Sequence, residues 1–143
     1  MIFPDVNVLL YAYDAKSPFH ENSRDWLKSV LDNEQVFFSW HAITGFLRIV
    51  THPRALAHPT TILKAVNIVQ TWLDLDNVHL VSFEKRNWPI YAKMLVEGQA
   101  IGDLVMDAHV AAMALSCGAT VASTDRDLTR FPGIRLIDPN SKS

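Results

Sequence analysis

Residues 103–125 read DLVMDAHVAAMALSCGATVASTD. Val110, Ala111, Ala114 and Leu115 recur at helical spacing, which predicts a helix over 103–116. Gly118 stands where a helix-terminating glycine belongs, because glycine enters left-handed backbone without a Cβ clash. Residues 119–123 are small or apolar and predict a strand, with Asp125 just beyond it. The unit is helix, glycine stop, strand, acid.

The same alternation runs outward in both directions. Upstream, Gly98 and Gly102 bracket a loop, and 84–97 is amphipathic, with Trp88, Tyr91, Ala92 and Leu95 on one face. Before it come a short strand at 79–82 and a helix carrying Ile62, Ala65, Val66, Val69 and Leu73, capped by Thr60 or Thr61. Further back are a helix over 41–51 stopped by His52-Pro53, a buried strand at 35–39, a helix over 20–33 and a helical stretch at 8–13. A very short apolar start at residues 2–4 opens the chain. Downstream lie a helical turn at 125–131 and a last strand at 135–137. Short strands separated by helices imply an α/β fold: a three-layer αβα sandwich around a short, mostly parallel sheet.

Composition bounds the function. The chain has 143 residues, 49% hydrophobic and 20% charged, which suits a single domain over 1–143 and excludes disorder. The one cysteine, Cys117, forms no internal disulfide, so nothing points to an oxidising compartment and a cytoplasmic location is expected. The opening residues lack the basic and apolar regions of a secretory leader, and no apolar run approaches the ~18–20 residues of a membrane span. Lys and Arg number 13 against 15 Asp and Glu, a net charge of −2 that argues against a simple basic nucleic-acid binder.

The placement of the acids changes that inference. Asp5 follows the first strand and Asp125 follows the strand at 119–123, and in parallel sheets ligands bind beyond the carboxyl ends of strands. Asp103 and Asp107 are four apart and share a helix face, with Asp107 on the edge of the buried stripe. Clustered carboxylates raise their pKa values or recruit a cation, and a hard ion, Mg²⁺ or Mn²⁺, suits an all-carboxylate set. Bland roles exist for most of them. Asp103 is placed to cap its helix and Asp125 the turn after it, Asp5 and Asn7 to form a turn or cap pair, and Asp127 to be solvated. Asp107, in mid-helix, has no capping role. Setting aside Asp5, Asp103, Asp107 and Asp125 leaves 13 basic against 11 acidic groups, a mildly basic remainder.

From Gln35 to Leu73 there is no Asp or Glu. The stretch reads either as a face that meets phosphates or as core helix with few charges of any sign, and Arg48 and Arg54 are its phosphate candidates. Trp26, Trp40, Trp72 and Trp88 lie beside apolar periodicities and are expected to pack in the core or a dimer rather than to stack on bases. His109 is read as peripheral to the acids and Cys117 as a small buried filler.

The assembled segments resemble the PIN-domain ribonucleases, in particular the VapC toxins of bacterial toxin–antitoxin pairs. The resemblance rests on Pro4-Asp5-Val6-Asn7-Val8-Leu9-Leu10-Tyr11-Ala12, on Gly45-Phe46-Leu47-Arg48 running to His52-Pro53-Arg54, and on Asp107-Ala108-His109-Val110-Ala111-Ala112-Met113-Ala114. It continues through Ser123-Thr124-Asp125-Arg126-Asp127-Leu128 to Arg130-Phe131-Pro132-Gly133. It implies an endoribonuclease dependent on Mg²⁺ or Mn²⁺ that hydrolyses RNA phosphodiesters and inhibits translation, is usually a homodimer, and is silenced by a cognate antitoxin. By that resemblance Asp5, Asp107 and Asp125 are the catalytic metal-binding acids, Asp127 is a secondary acid and Thr124 a site-lining hydroxyl. Asn7, Arg48 and Arg54 join Thr124 as expected substrate contacts. The pattern departs at Gly45, at or beside which many members carry a Glu. Asp103, one turn before Asp107, is the expected replacement, and the number of ions, one or two, stays open. Two rival readings remain: a non-catalytic PIN-like protein that binds RNA or an antitoxin, and a phosphohydrolase with Asp5 as nucleophile. The latter pattern wants a second acid two residues on, where this chain has Asn7.

Overall fold

In the computed structural model, which describes residues 1–141, five short strands form one sheet. Residues 142 and 143 of the domain expected over 1–143 lie outside the described residues. The strands are β1 (Ile2–Pro4), β2 (Val36–Ser39), β3 (Val78–Val81), β4 (Thr120–Ala122) and β5 (Leu136–Ile137). Their order is β3-β2-β1-β4-β5, and every pairing is parallel. Six helices are described: α1 (Val6–Tyr13), α2 (His20–Asn33), α3 (Trp40–Val50), α4 (Ile62–Leu73), α5 (Trp88–Glu97) and α6 (Leu104–Cys117).

Strand side chains alternate between two faces, and each face has its own core. Val36 and Phe38 of β2 point toward α1–α4, where buried Trp72 stacks on Phe38 at 5.2 Å and meets Phe46 at 4.9 Å. Phe3 and Val121 point the other way, toward Met94 of α5 and the buried Ala108, Ala111, Ala112 and Ala114 of α6. The small alanines let α6 lie close against the sheet. The result is the expected αβα sandwich.

Local chemistry explains where the boundaries fall. The Asp5 side chain accepts from the Val6 amide, so α1 begins at Val6, two residues before the expected helical stretch. Ser39 caps α3 by accepting from the Ala42 amide, and Thr61 rather than Thr60 caps α4. The expected helix at 84–97 divides into a 3-10 turn, Lys85–Asn87, and then α5, with a proline in its first turn. Gly118 ends α6 with φ +66°, as its position predicts.

The tryptophans part company. Trp72 is buried and Trp26 packs against the same core, but Trp40 and Trp88 are 57% and 56% exposed and belong to neither core. Periodicity shows which residues share a face. It does not show that the first residue of a helix, as both of these are, still lies over the core. Cys117 is half-buried rather than a buried filler, and its burial pushes the thiol pKa up. Among the described residues no helix is long and apolar enough to cross a membrane.

The register positions the site. Ile2 pairs with Val36, and Ile2, Phe3 and Pro4 pair with Thr120, Val121 and Ala122. One step beyond the Pro4–Ala122 pair, Asp5 stands level with Ser123 at the carboxyl edge of the sheet, the edge at which Ser39 ends β2.

At the end of α5, a Cβ on Gly98 would lie 2.4 Å from the buried Phe131 ring and 2.7 Å from the Met94 carbonyl. Gly98→Ala should therefore destabilise the protein by about 1–3 kcal/mol, a drop of roughly 3–10 °C in Tm for a domain of this size, measurable by thermal denaturation.

Candidate metal centre

Asp5 is held by both of its oxygens. Oδ1 accepts from the Val6 amide at 2.8 Å and Oδ2 accepts from the Ser123 hydroxyl at 2.8 Å. Ser123 is fully buried, and its Oγ also accepts from Asn7 Nδ2 and from the Asp125 amide, each at 3.0 Å. A hydroxyl has one donor and two acceptor sites, so this one is saturated. Asn7 completes the tie, its Oδ1 accepting from the Thr124 amide at 3.3 Å.

Asp125 caps the 3-10 turn Arg126–Arg130, its Oδ1 accepting from the Asp127 amide at 2.9 Å. The cap turns the chain so that Asp127 comes back beside it. One carboxylate oxygen from each of Asp107, Asp125 and Asp127 lies within 4.8 Å of the others. Asp107 reaches the cluster from the first turn of α6.

The electrostatics follow from that crowding. Burial raises the Asp107 carboxyl to about 6, helped by the charges of Asp125 and Asp5, a hydrogen bond with Asp125 and the charge of Asp127. Asp5 is raised mainly by burial, opposed by its Ser123 and Val6 hydrogen bonds. Asp5 thus interacts electrostatically with Asp107 and Asp125 and adjoins their cluster. Among the described residues no Lys or Arg forms an ion pair with these carboxylates, though the charge of His41 acts on Asp5, and such a convergent set suits a hard divalent ion.

The expected residues separate into four groups. Asp107, Asp125 and Asp127 converge, with Asp5 beside them. Asp103 does not join: it is exposed, makes no cap hydrogen bond, and is absent from the charges that act on Asp107. Asn7 and Thr124 are at the site, but Asn7 spends both ends of its amide on Ser123 and Thr124, which makes it a brace between β4 and α1 rather than a free substrate contact. Arg48 and Arg54 are exposed and are not among the converging groups: Arg48 is in the last turn of α3, one turn after Gly45, which closes on Val6 beside Asp5, and Arg54 follows the helix. The acid-free stretch that suggested them is divided between core residues, among them Ala42, Ile43, Phe46, Val50, Ala65, Val69 and Trp72, and exposed ones.

Ser123 is the residue that the sequence reading missed. A polar residue ending the apolar strand, between two future site acids in space, was the available signal. At Gly45, where the resemblance expects an acid nearby, α3 closes on α1: a Cβ there would stand 3.0 Å from Val6 Cγ2. His109 lies against Phe83 and Tyr91 at 4.6 and 5.2 Å, with Nδ1 buried and without a partner among the described residues. Burial, then the charge of His41, lowers its pKa. A largely apolar cleft of about 560 Å³, lined by Tyr13, Leu27, Leu31, Trp72 and Leu75 with Arg24, Lys28 and Asp32 also on its walls, includes none of Asp5, Asp107, Asp125 and Asp127.

Comparison with known proteins bears on this arrangement. The PIN domain family model matches residues 2–134, which include the whole acidic cluster. Ribonuclease VapC48 of Mycobacterium tuberculosis is 35% identical over 139 residues, covering 96% of each chain, and Ribonuclease VapC33 of the same organism is 32% identical, covering 97% of this chain and 98% of its own. Among solved structures, VapBC2 from Rickettsia felis bound to a promoter DNA fragment aligns with TM-score 0.70 at 16% identity, over 96% of this chain and 98% of the other. The sarcin–ricin-loop-cleaving toxin VapC20 of Mycobacterium tuberculosis aligns with TM-score 0.68 at 17% identity, over 94% and 99%. With a family model matched over residues 2–134 and relatives 32–35% identical over nearly the whole length, the chain belongs to the PIN-domain family, among its VapC ribonucleases.

Proposed function

We propose that the protein is a divalent-metal-dependent endoribonuclease, a single PIN domain over 1–143 that acts in the cytoplasm as the toxin of a toxin–antitoxin pair. The convergence of Asp107, Asp125 and Asp127 beside Asp5 carries this reading. The ribonuclease names of its relatives and the antitoxin-bound forms of its structural neighbours support it.

Asp5, Asp107, Asp125 and Asp127 are the residues that hold Mg²⁺ or Mn²⁺. Bound there, such an ion lowers the pKa of a water molecule and stabilises charge on the scissile phosphate. The chain's own contribution is placement. Ser123 and the Val6 amide fix Asp5, and the cap at Asp125 fixes Asp127, so the donor oxygens are preorganised. Having both oxygens engaged also disfavours Asp5 as a covalent nucleophile, the phosphohydrolase reading.

For the RNA backbone, Arg126 and Arg130 join Arg48 and Arg54 as candidates. Arg126 and Arg130 are exposed on the turn that carries Asp127 and form no ion pair among the described residues. A cognate antitoxin and a second copy are the protein partners. Exposed Ile62, Leu63 and Val66 on α4, and Val96 and Ile101 at and beyond the end of α5, offer them apolar surface.

Asp107→Asn should lower RNA cleavage at least 100-fold with the fold intact by circular dichroism, and excess EDTA should do the same to the wild type. RNA binding without cleavage by the wild type in Mg²⁺ or Mn²⁺ would instead favour the non-catalytic reading. Ser123→Ala should weaken metal affinity by roughly 10–100-fold, the usual effect of removing a group that orients a ligand, measurable by calorimetric titration with Mn²⁺.

The raised Asp107 pKa predicts a pH effect on the metal-free protein. Between the ordinary 3.8 and about 6 the folded state binds more protons than the unfolded state, so the Asp107 contribution to stability falls as pH rises through that window. Asp107→Asn removes the penalty. Above pH 6 the metal-free variant should melt about 2–4 °C higher than the wild type, on the order of 1 kcal/mol after allowance for solvent screening, and the two should converge near pH 4. Saturating Mn²⁺ at pH 7 should reverse their order.

A further inference from the structure

Trp40 is an exposed indole at the rim of the acidic site. β1 and β2 are parallel neighbours, so Ser39, the last residue of β2, and Asp5, the residue after β1, leave the sheet at the same carboxyl edge, and Trp40 is the next residue after Ser39. It opens α3, is 57% exposed and belongs to neither core. Among the described residues its ring pairs with no other aromatic ring. Its neighbour His41 is close enough for its charge to act on both Asp5 and His109.

The carboxyl edge of the sheet is therefore asymmetric about the acids. On the β4 side stand the exposed Arg126 and Arg130, which suit phosphates. On the β2 side stands a bare indole, which suits the π-face of an unstacked base. We propose that Trp40 is the platform on which a nucleobase of single-stranded RNA stacks beside the scissile bond, so that the strand runs from the arginines across the acids to the indole. Single-stranded RNA is the form whose bases are free to stack on aromatic side chains, and such stacking tolerates any base. Trp40 thus favours looped or unpaired RNA over duplex and adds binding energy without reading sequence.

The inference rests on the ribonuclease reading above, and Trp88 supplies an internal control. Trp88 is equally exposed, but it opens α5 beside Asn87, whose Nδ2 donates to Ser116 Oγ at 3.3 Å. Ser116 lies nine residues after Asp107 on α6, about 13 Å along the helix axis.

The test uses the full chain with Mn²⁺ and an unstructured RNA octamer, alongside octamers carrying one abasic nucleotide at each position in turn. Cleavage is followed for KM and kcat. Binding is followed by fluorescence anisotropy, and mass by sedimentation. Trp40→Ala should raise KM about 5- to 100-fold, the range of one base–aromatic stack, with kcat little changed and Tm unaltered. Trp40→Phe should recover most of the loss, and Trp88→Ala should behave as wild type. One abasic position next to the cut should raise the wild-type KM to the same extent and remove the effect of Trp40→Ala. A Trp40→Ala protein with wild-type KM and Kd overturns the proposal. So does an equal loss on every abasic octamer. A loss that accompanies conversion of a dimer to monomers also overturns it, by giving the surface to a second copy. A wild type that binds the octamer without cutting it defeats the ribonuclease reading alone, since the anisotropy arm still decides on Trp40. A wild type that neither binds nor cuts RNA defeats both.

Discussion

The hydroxyl of Ser123 is the joint on which the acidic site is built. It gives its one proton to Asp5 and takes one each from Asn7 and the backbone of Asp125. The contact closes a loop of 118 residues at the centre of the sheet, where β1 and β4 lie side by side. Without it Asp5 is a raised, buried carboxyl with one partner fewer, and the turn that carries Asp125 and Asp127 loses its anchor to β1. The group is neutral, and that suits its place. A lysine there would tie the same carboxylates more strongly but would occupy the charge that a cation needs, whereas a hydroxyl orients them and leaves their repulsion standing.

That repulsion is what the fold tolerates in exchange for function. Asp107 is the clearest case: it stands in the first turn of α6 rather than in mid-helix as expected, is partly buried and faces other acids, with a carboxyl raised to about 6. Elsewhere the acids carry ordinary structural duties at the same time. Asp5 caps α1 with one oxygen, and Asp125 caps the turn at Arg126–Arg130 with one of its own. Capping and site geometry do not compete here, because a carboxylate has two oxygens and each duty uses one.

The sequence made much of this legible because βα units announce themselves through period and punctuation. The helix-to-strand transition around Gly118, the acids beyond β1 and β4, and the isolation of Asp107 all follow from local patterns, and each is where the pattern puts it. What stayed hidden depends on relations between elements. Ser123 matters because register sets it beside Asp5, and register is not local. The acid-free stretch that suggested Arg48 and Arg54 spans both the core around Trp72 and exposed surface, so composition alone does not assign its role. Asp103 shares a helix face with Asp107, yet it lies one turn outside the place where the turn at Asp125 returns. Trp40 and Trp88 match apolar periodicities and still stand in solvent, because each opens its helix at the margin of the sheet.

The strand order has a consequence for the chain as it is made. β1 is the first strand synthesised, and it lies between β2 and β4, so its second neighbour does not exist until the chain is nearly complete. After Asp5 leaves the peptidyl-transfer centre, the ribosome must add 118 residues before Ser123 is even polymerised. At roughly 5–20 residues per second that is an interval of about 6–24 s. A chain that ends before β4 lacks Ser123, Asp125 and Asp127, so nothing in it holds Asp5 Oδ2 or returns a carboxylate to Asp107. The acidic cluster therefore assembles only in a nearly full-length chain.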